Sequence, residues 1–290
     1  MKVLVTGSGG QLGSITVKQL RSCGHEVVGL DIILSETTDQ FADIRDKNRM
    51  MEVIKGFDAI IHTAAVHGKH YDLNYSRESF IDINIYGTLN LLNAAVHHGV
   101  GKFLYVSTTS IYGSSMIDPD QAVWVDEQLA DCPRDIYDIT KQTAEQLCKD
   151  FFNKEKLQCS VYRVGRFLPE TVNLTFNHRL YRGLDERDGA KALELALNQT
   201  FDQFEIFNIS SGSPFLKEEL VILRKSPKMV ILKHFPEAEE FYKMFFWKFP
   251  ECIDRVYCSE KAKHLLGYFP KYTFKYLLNE ILHGQVPSKS

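Results

Sequence analysis

The sequence has few cysteines, and those it has form no pattern. Cys23, Cys132, Cys148, Cys159, Cys252 and Cys258 are scattered over 290 residues, with no C-x-x-C pair and no histidine at zinc-ligand spacing. This excludes a zinc ribbon and a disulfide framework, and no metal is expected. It fits a reducing cytoplasm, where a free cysteine acts as a small hydrophobe. An excess of charge of one sign is also missing. The 34 Lys and Arg face 37 Asp and Glu, a formal net charge of −3. No global field then draws the protein to a polyanion, so neither nucleic acid nor an anionic membrane is expected as a partner. Long apolar runs are absent: the longest early uncharged stretch, residues 3–17, is full of Gly, Ser and Thr, and is too short and polar to span a bilayer. The chain does not open on the charged, apolar and small-residue succession of a secretory leader. No repeat recurs and no low-complexity linker divides it. What remains is ordinary globular composition, 44% hydrophobic and 24% charged, enough for one large core or one core with an appendage.

In the first half, short apolar runs alternate with helical periodicity. Strands are expected at 2–6, 26–30, 59–62, 103–107 and 159–164. Between them, Leu12, Ile15 and Leu20 mark a helix over 11–22. Ile81, Ile85, Leu89, Leu92 and Val96 share one face of a long helix, and Tyr137, Thr140, Ala144, Leu147 and Phe151 share one face of another. This alternation predicts an α/β fold, a doubly wound parallel sheet with helices on both faces. Beyond Pro169 the pattern loosens into helices over 187–197, 217–223, 259–266 and 274–283, with one strand at 205–209. A division is expected at residue 168. Residues 1–168, with the strand near 205–209, form a Rossmann-type nucleotide-binding domain; 169–290 form a small, mostly helical substrate or cap region. The seven aromatics Phe235, Phe241, Tyr242, Phe245, Phe246, Trp247 and Phe249 read as packing for that region.

The loop from Thr6 to Gly13 directly follows the first strand and opens the first helix. Gly7, Gly10 and Gly13 have the spacing that a tight turn, close backbone approach to a pyrophosphate and close helix–strand packing require. Gly9, Gln11 and Leu12 complete the loop, and the helix N-terminus offers unpaired N–H groups to the anion. Asp31 ends the second strand, 24 residues after Gly7. A carboxylate there accepts hydrogen bonds from ribose hydroxyls and repels a 2′-phosphate, favouring NAD over NADP. No Arg lies between Gly7 and Lys18 to rescue that phosphate.

Tyr137 and Lys141 stand four apart on a predicted helix and therefore share a face. An ammonium one turn away, together with a cationic nicotinamide, would favour the phenolate and make Tyr137 a base. A hydroxyl-rich stretch, Ser107-Thr108-Thr109-Ser110-Ile111-Tyr112-Gly113, leaves the fifth strand at the edge where such sheets bind ligands. These pieces, with Asp43-Ile44-Arg45, His62-Thr63-Ala64-Ala65, Asn84, Gly87-Thr88 and Arg163, fall in one order over the first 165 or so residues. In that order the chain resembles the extended short-chain dehydrogenase/reductase superfamily, the NAD-dependent epimerases and dehydratases. The resemblance implies roles by position. Asp43 and Ile44 would flank the adenine. Ala64 and Ala65 would line the path of the pyrophosphate and nicotinamide ribose, with Asn84 and Ser107 close by. Lys141 would bind that ribose and tune Tyr137, and Thr108 would hydrogen-bond the reacting oxygen.

Two departures from the family shape the expected substrate. Only sixteen positions separate Pro169 from Asp185, with little room for a helix and a strand, and Gly165-Arg166-Phe167-Leu168-Pro169 replaces the usual V-Y-G-P signature. The pocket for a nucleoside diphosphate is therefore expected to be reduced or missing. The substrate would be a small sugar, sugar acid or polyol, in the manner of uronate-dehydrogenase-like members. His67 and Thr109 are candidate contacts to it, and His70 shares the His67 loop. Arg163, Arg166 and Arg179 are candidate guanidinium partners for a carboxylate or phosphate. Two alternatives stay open: a nucleotide-sugar epimerase or dehydratase of the UDP-glucose 4-epimerase kind, and an NAD-binding regulatory protein without turnover. Apolar residues beyond one stripe on the two long helices, Ile83, Tyr86, Cys148 and Phe152, add the expectation of a homodimer.

Overall fold

The computed structural model describes residues 1–67 and 74–282. The candidate residue His70 lies outside the described residues. The first half follows the apolar runs closely. β1 (Lys2–Thr6) buries Val3, Leu4 and Val5 completely, as a central parallel strand covered on both faces must. α1 (Gln11–Ser22) returns Leu12, Thr16, Val17 and Leu20 to the sheet. β2 (Glu26–Asp31) and the short β3 (Gln40–Phe41) follow. α2 (Lys47–Val53) starts at Asp46, whose side chain accepts from Arg49 N. β4 (Ala59–His62) is buried along its whole length.

The long helix expected at 81–96 is one helical run with a wide turn inside it. α3 (Arg77–Ile81) passes into a π-helical segment (Asp82–Gly87) and then α4 (Thr88–His97). Two contacts account for the bulge. The Asn84 side chain turns inward, and a Cβ on Gly87 would lie 2.6 Å from Ile44 Cδ1, so the helix can approach Ile44 only through a glycine. β5 (Lys102–Thr108) leads into a 3₁₀ segment (Thr109–Met116), broken at Gly113 where φ is +49°. β6 (Val123–Val125) comes next, then the twenty-residue α5 (Ile136–Glu155). Asp135 caps α5 by accepting from Asp138 N, and Lys156 ends it in the left-handed conformation. β7 (Gln158–Val164), α6 (Val172–Arg179), α7 (Glu186–Leu197) and β8 (Glu205–Ile209) complete the sheet region. The parallel sheet has seven strands in the order β3-β2-β1-β4-β5-β7-β8. Strand order reverses beside β1, and the C-terminal ends of β1 and β4 flank the place where such sheets bind ligands.

After β8 the chain is mostly helical: α8 (Leu220–Lys225), α9 (Pro227–His234) with proline at its first position, α10 (Ala238–Met244), α11 (Glu260–Leu266) and α12 (Phe274–Leu282). β9 (Arg255–Tyr257) pairs in parallel with β6.

The chain divides into two compact units, and a single boundary at residue 168 does not describe them. One unit comprises residues 1–111, 133–163 and 189–207; the other comprises 112–132, 164–188 and 208–290. Pairing of β6 with β9 draws 112–132 into the second unit, and α7, which begins at Glu186, gives most of its length to the first. The first unit has a core of Leu4, Leu30, Ile60, Leu91, Phe103, Val161 and their neighbours. Cys148, expected at a subunit contact, belongs to this core. In the second unit the aromatic stretch is core, as its composition suggests. Phe235, Phe241 and Tyr242 are buried with Phe176 and Phe274, and Tyr242 stacks on Phe249 with centroids 3.9 Å apart. Phe246 is the exception, an almost fully exposed residue with φ +53°. The connection from Pro169 to Asp185, expected to have little room for a helix and a strand, holds α6, capped by the Thr171 side chain. Among the described residues no helix is long and apolar enough to cross a membrane.

Candidate active site

The loop after β1 is built around glycine. Gly7 has φ +73°, and a Cβ there would lie 2.5 Å from Ala64 N; one on Gly13 would lie 2.0 Å from Gly7 O. Gly10 caps α1 without a side-chain bond, and no acid occupies the first helical turn. The positive end of the helix therefore has no acidic residue of its own first turn to neutralise it. Gln11 is exposed at this end, whereas Leu12 and Gly13 turn into the core. Asp31 sits against the loop: its Oδ2 accepts from Gly9 N at 2.8 Å and its Oδ1 from Ile33 N at 3.0 Å. Each carboxylate oxygen keeps further acceptor capacity. The structure thus brings together Gly7, Gly9, Gly10, Gly13, Asp31 and Ala64 around one turn.

Asp43 and Ile44 behave differently from each other. The partly exposed Asp43 carboxylate is held by the Arg45 side chain, which keeps its carboxyl below the usual range. The Ile44 side chain is buried, and a Cβ on Gly87 would lie 2.6 Å from its Cδ1. Asn84 pins the chain leaving β4. Its Oδ1 accepts from Val66 N at 3.0 Å, and its Nδ2 donates to Val66 O at 2.9 Å and to Thr140 Oγ1 at 3.0 Å. One buried amide thereby ties the Ala64–Ala65 stretch to α5, on the turn between Tyr137 and Lys141.

Thr108, Tyr137 and Lys141 come from the end of β5 and the first two turns of α5. Burial pushes the Tyr137 phenol up, while a hydrogen bond from the Thr108 side chain pulls it the other way. Burial lowers Lys141 to about 7, with the nearby Glu145 opposing the shift. The Lys141 ammonium donates to Val106 O at 2.6 Å and lies 4.1 Å from the Tyr105 ring centroid. Desolvation is the largest influence on both groups. Thr109 is buried at the start of the 3₁₀ segment, and His67 is half-buried at the end of the described stretch.

Beneath this trio lies a buried ionic layer outside the glycine-loop and Tyr137–Lys141 motifs. Glu145 accepts from the Ser107 hydroxyl and from Arg163, whose NH2 lies 2.6 Å from Oε2; the two charged side chains are 0% and 3% exposed. The Ser107 hydroxyl and the Arg163 guanidinium are both engaged by Glu145. The signal was in the sequence: the four-residue step from Tyr137 to Lys141 continues to Glu145. Deeper still, His62 bridges Thr6 Oγ1 at 2.7 Å and Thr88 Oγ1 at 3.0 Å, and burial holds the ring neutral well below its ordinary range.

In the second unit the remaining candidate arginines also have partners. Arg166 pairs with Glu170, which also accepts from His178 Nδ1. Arg179 pairs with Asp185 at 2.8 Å and Ser211 Oγ at 3.1 Å. The two asparagines of α6 are similarly occupied: Asn173 and Asn177 donate to Lys248 O, and Asn177 Oδ1 accepts from the Tyr242 hydroxyl.

Known proteins resemble this chain in sequence and in fold. The model of the NAD dependent epimerase/dehydratase family matches residues 3–181. A GDP-mannose 3,5-epimerase 1 of Oryza sativa subsp. japonica is 28% identical over 176 residues, covering 58% of this chain and 46% of the relative. A UDP-glucose 4-epimerase of Rhizobium meliloti is 35% identical over 159 residues, covering 51% and 46%. The chain thus spans about half the length of these curated relatives. A short-chain dehydrogenase/reductase superfamily protein from Agrobacterium tumefaciens, solved with bound NAD, superposes with a TM-score of 0.73 at 19% identity, over 98% of this chain and 97% of the other.

Proposed function

The chain belongs to the NAD-dependent epimerase/dehydratase family, and from that premise we propose that it is an NAD-dependent enzyme of reversible hydride transfer at a secondary alcohol of a small sugar, sugar acid or polyol. The observation that carries this reading is the gathering of Thr108, Tyr137 and Lys141 at the end of β5 and the start of α5, two strands along the same sheet from the β1 loop, where Gly7 and Gly13 leave no room for a Cβ. Bound NAD supplies the acceptor and donor of the hydride. Gly7, Gly10 and Gly13 bring the backbone to the pyrophosphate, and the Asp31 carboxylate takes the adenosine ribose hydroxyls and disfavours NADP. The Lys141 side chain keeps N–H donors beyond its bond to Val106 for the hydroxyls of the second ribose. Tyr137 removes the proton of the substrate alcohol and Thr108 steadies the same oxygen. When the ketone forms, it either leaves as product or is reduced again on its other face.

The substrate half rests on α6. Its asparagines, His178 and Arg179 are bonded within the second unit, so few of its polar groups remain to replace the water stripped from a diphosphate. A second reading, epimerisation of a nucleotide sugar, is supported by the names of the curated relatives. Assays of NADH formation on a panel of small sugars, sugar acids and polyols, run beside epimerisation assays on UDP-hexoses, separate the two. Turnover of a small alcohol that is lost in Tyr137→Phe supports the first reading. Robust 4-epimerisation of a UDP-hexose without turnover of any small alcohol overturns it. NADH binding without either reaction identifies a protein that only binds the cofactor. The assembly proposed with this enzyme is a homodimer through the helical run 77–97 and α5, where Tyr86 is 56% and Ile139 48% exposed. Light scattering at micromolar concentration tests it, and a monomer refutes it.

A further inference from the structure

The segment between β2 and β3 carries an unusual density of short hydroxyl side chains, and they are bonded to one another and to the glycine loop. Ser35 Oγ lies 3.1 Å from Thr37 Oγ1 and 2.9 Å from Thr38 Oγ1, and Thr38 Oγ1 donates to Ile33 O at 2.8 Å. Ser8 Oγ reaches Thr38 Oγ1 at 3.2 Å. The central contact is buried: Thr37, 2% exposed, donates from Oγ1 to Ser8 O at 2.6 Å. The segment is pressed onto β2 so closely that a Cβ on Gly29 would lie 1.8 Å from Thr37 O. Gly29 is thus a condition for the approach, and Gly29 N is itself bonded to Asp39 Oδ2 at 2.7 Å.

Ser8 C=O and Gly9 N–H belong to one planar peptide unit and point in opposite directions. The carbonyl end is held by Thr37 Oγ1 at 2.6 Å, and the N–H end by Asp31 Oδ2 at 2.8 Å. The two bonds fix the same plane from both sides. A flip of this unit would aim a carbonyl oxygen at the Asp31 carboxylate and leave the Thr37 hydroxyl facing an N–H. It would also take from Asp31 one of the two backbone donors that fix its oxygens, Gly9 N–H and Ile33 N–H.

We propose that Thr37 is a positioning residue for the nucleotide site: its hydroxyl locks the Ser8–Gly9 peptide and so holds Asp31 in the orientation that receives the adenosine ribose diol and discriminates against a 2′-phosphate. This rests on the NAD reading above. Asp31 then sets cofactor preference only as half of a pair, and its partner lies six residues later on a segment that carries no glycine motif.

The test uses the full chain, with NADH and NADPH as probes in calorimetric titration and the Gly9 amide as a probe independent of ligand. Thr37→Val keeps the shape and removes the hydroxyl, leaving Ser8 O unpaired; Thr37→Ser restores the hydroxyl. The expected result is that Thr37→Val weakens NADH by roughly tenfold, narrows the preference for NADH over NADPH, and speeds hydrogen exchange at Gly9, while Thr37→Ser recovers all three. A purely structural role would lower the melting temperature without moving the ratio of the two affinities. Thr37→Val that keeps NADH affinity within about twofold of the unmutated protein overturns the lock and leaves the NAD reading intact. Equal losses in Thr37→Val and Thr37→Ser also overturn it, since packing rather than the hydroxyl would be responsible. No NADH binding by the unmutated protein overturns both readings.

Discussion

The two units use polar side chains in opposite ways. In the first, the turns at the ends of β1 and β5 carry glycine and short hydroxyls, and the charges are withdrawn beneath them: Glu145 on Arg163, and His62 held neutral between two threonines. In the second, long charged side chains meet one another around α6, in Arg166–Glu170–His178 and Arg179–Asp185–Arg187. A ligand site needs donors and acceptors that the fold has not already used, and a scaffold uses them. The first unit therefore reads as the chemical one, although the second is richer in ionised groups around a single helix.

The sharpest way to break this contrast is Tyr137→Phe. Turnover of a small alcohol should fall by roughly 10²–10⁴-fold with NADH affinity retained, because only the proton acceptor is removed. Steady-state assays beside calorimetry decide it, and retained turnover would place the base elsewhere. Next in size is the ionic layer. Glu145→Ala leaves the Arg163 guanidinium buried without its partner and should cost about 3–5 kcal/mol in urea unfolding. Glu170→Ala in the second unit should cost less, about 1–2 kcal/mol, because Arg166, with its side chain 42% exposed, can turn to water and His178 loses one hydrogen bond. Equal losses would erase the distinction between the units.

Acid sharpens the comparison further. Burial lowers His62 well below 6.5 in the folded protein, so between 6.5 and that lowered value the unfolded chain binds the extra proton. Stability should fall as pH drops below 6.5, by up to about 1.4 kcal/mol per pH unit for this one group. His62→Gln should remove that share of the slope. His178→Gln should remove less, because burial lowers His178 too but the Glu170 hydrogen bond favours its charged form. Denaturation midpoints between pH 7 and 5 measure both. The smallest effect is expected at Thr171→Ala, which removes the side-chain cap of α6; about 1 kcal/mol should be lost, with cofactor affinity unchanged.

Much of the first unit was legible because its signals are local. β1, α1, β4 and β8 lie where apolar runs and helical spacing put them, and Gly7, Gly13 and Asp31 meet around one turn as the loop spacing requires. Local signals were silent where burial or long-range pairing decided the outcome. Ile44 sits at the position expected to flank an adenine, and Gly87, 43 residues later, makes room for its side chain. Arg163 looked like a free cation until Glu145 was placed across from it. β6 and β9 are three residues each and exist only as each other's partner, so neither shows a period of its own. α6 was hidden because its polar side chains bond inward, which mixes the two faces of the helix.

The division of the chain also bears on its synthesis. It crosses between the two units five times, after residues 111, 132, 163, 188 and 207. A nascent chain released as far as β8 holds every strand of the large sheet, but β6 must wait for β9, whose residues 255–257 are made last of all the strands. Until then β6 has no strand partner, and residues 112–132 are held only at points such as Ala122 N on Leu220 O and Asn208 Nδ2 on Val125 O. Truncation anywhere before β9 should therefore yield an aggregating product rather than an isolated nucleotide-binding half. The late closure of this one small pair makes the order of translation part of how the molecule reaches its fold.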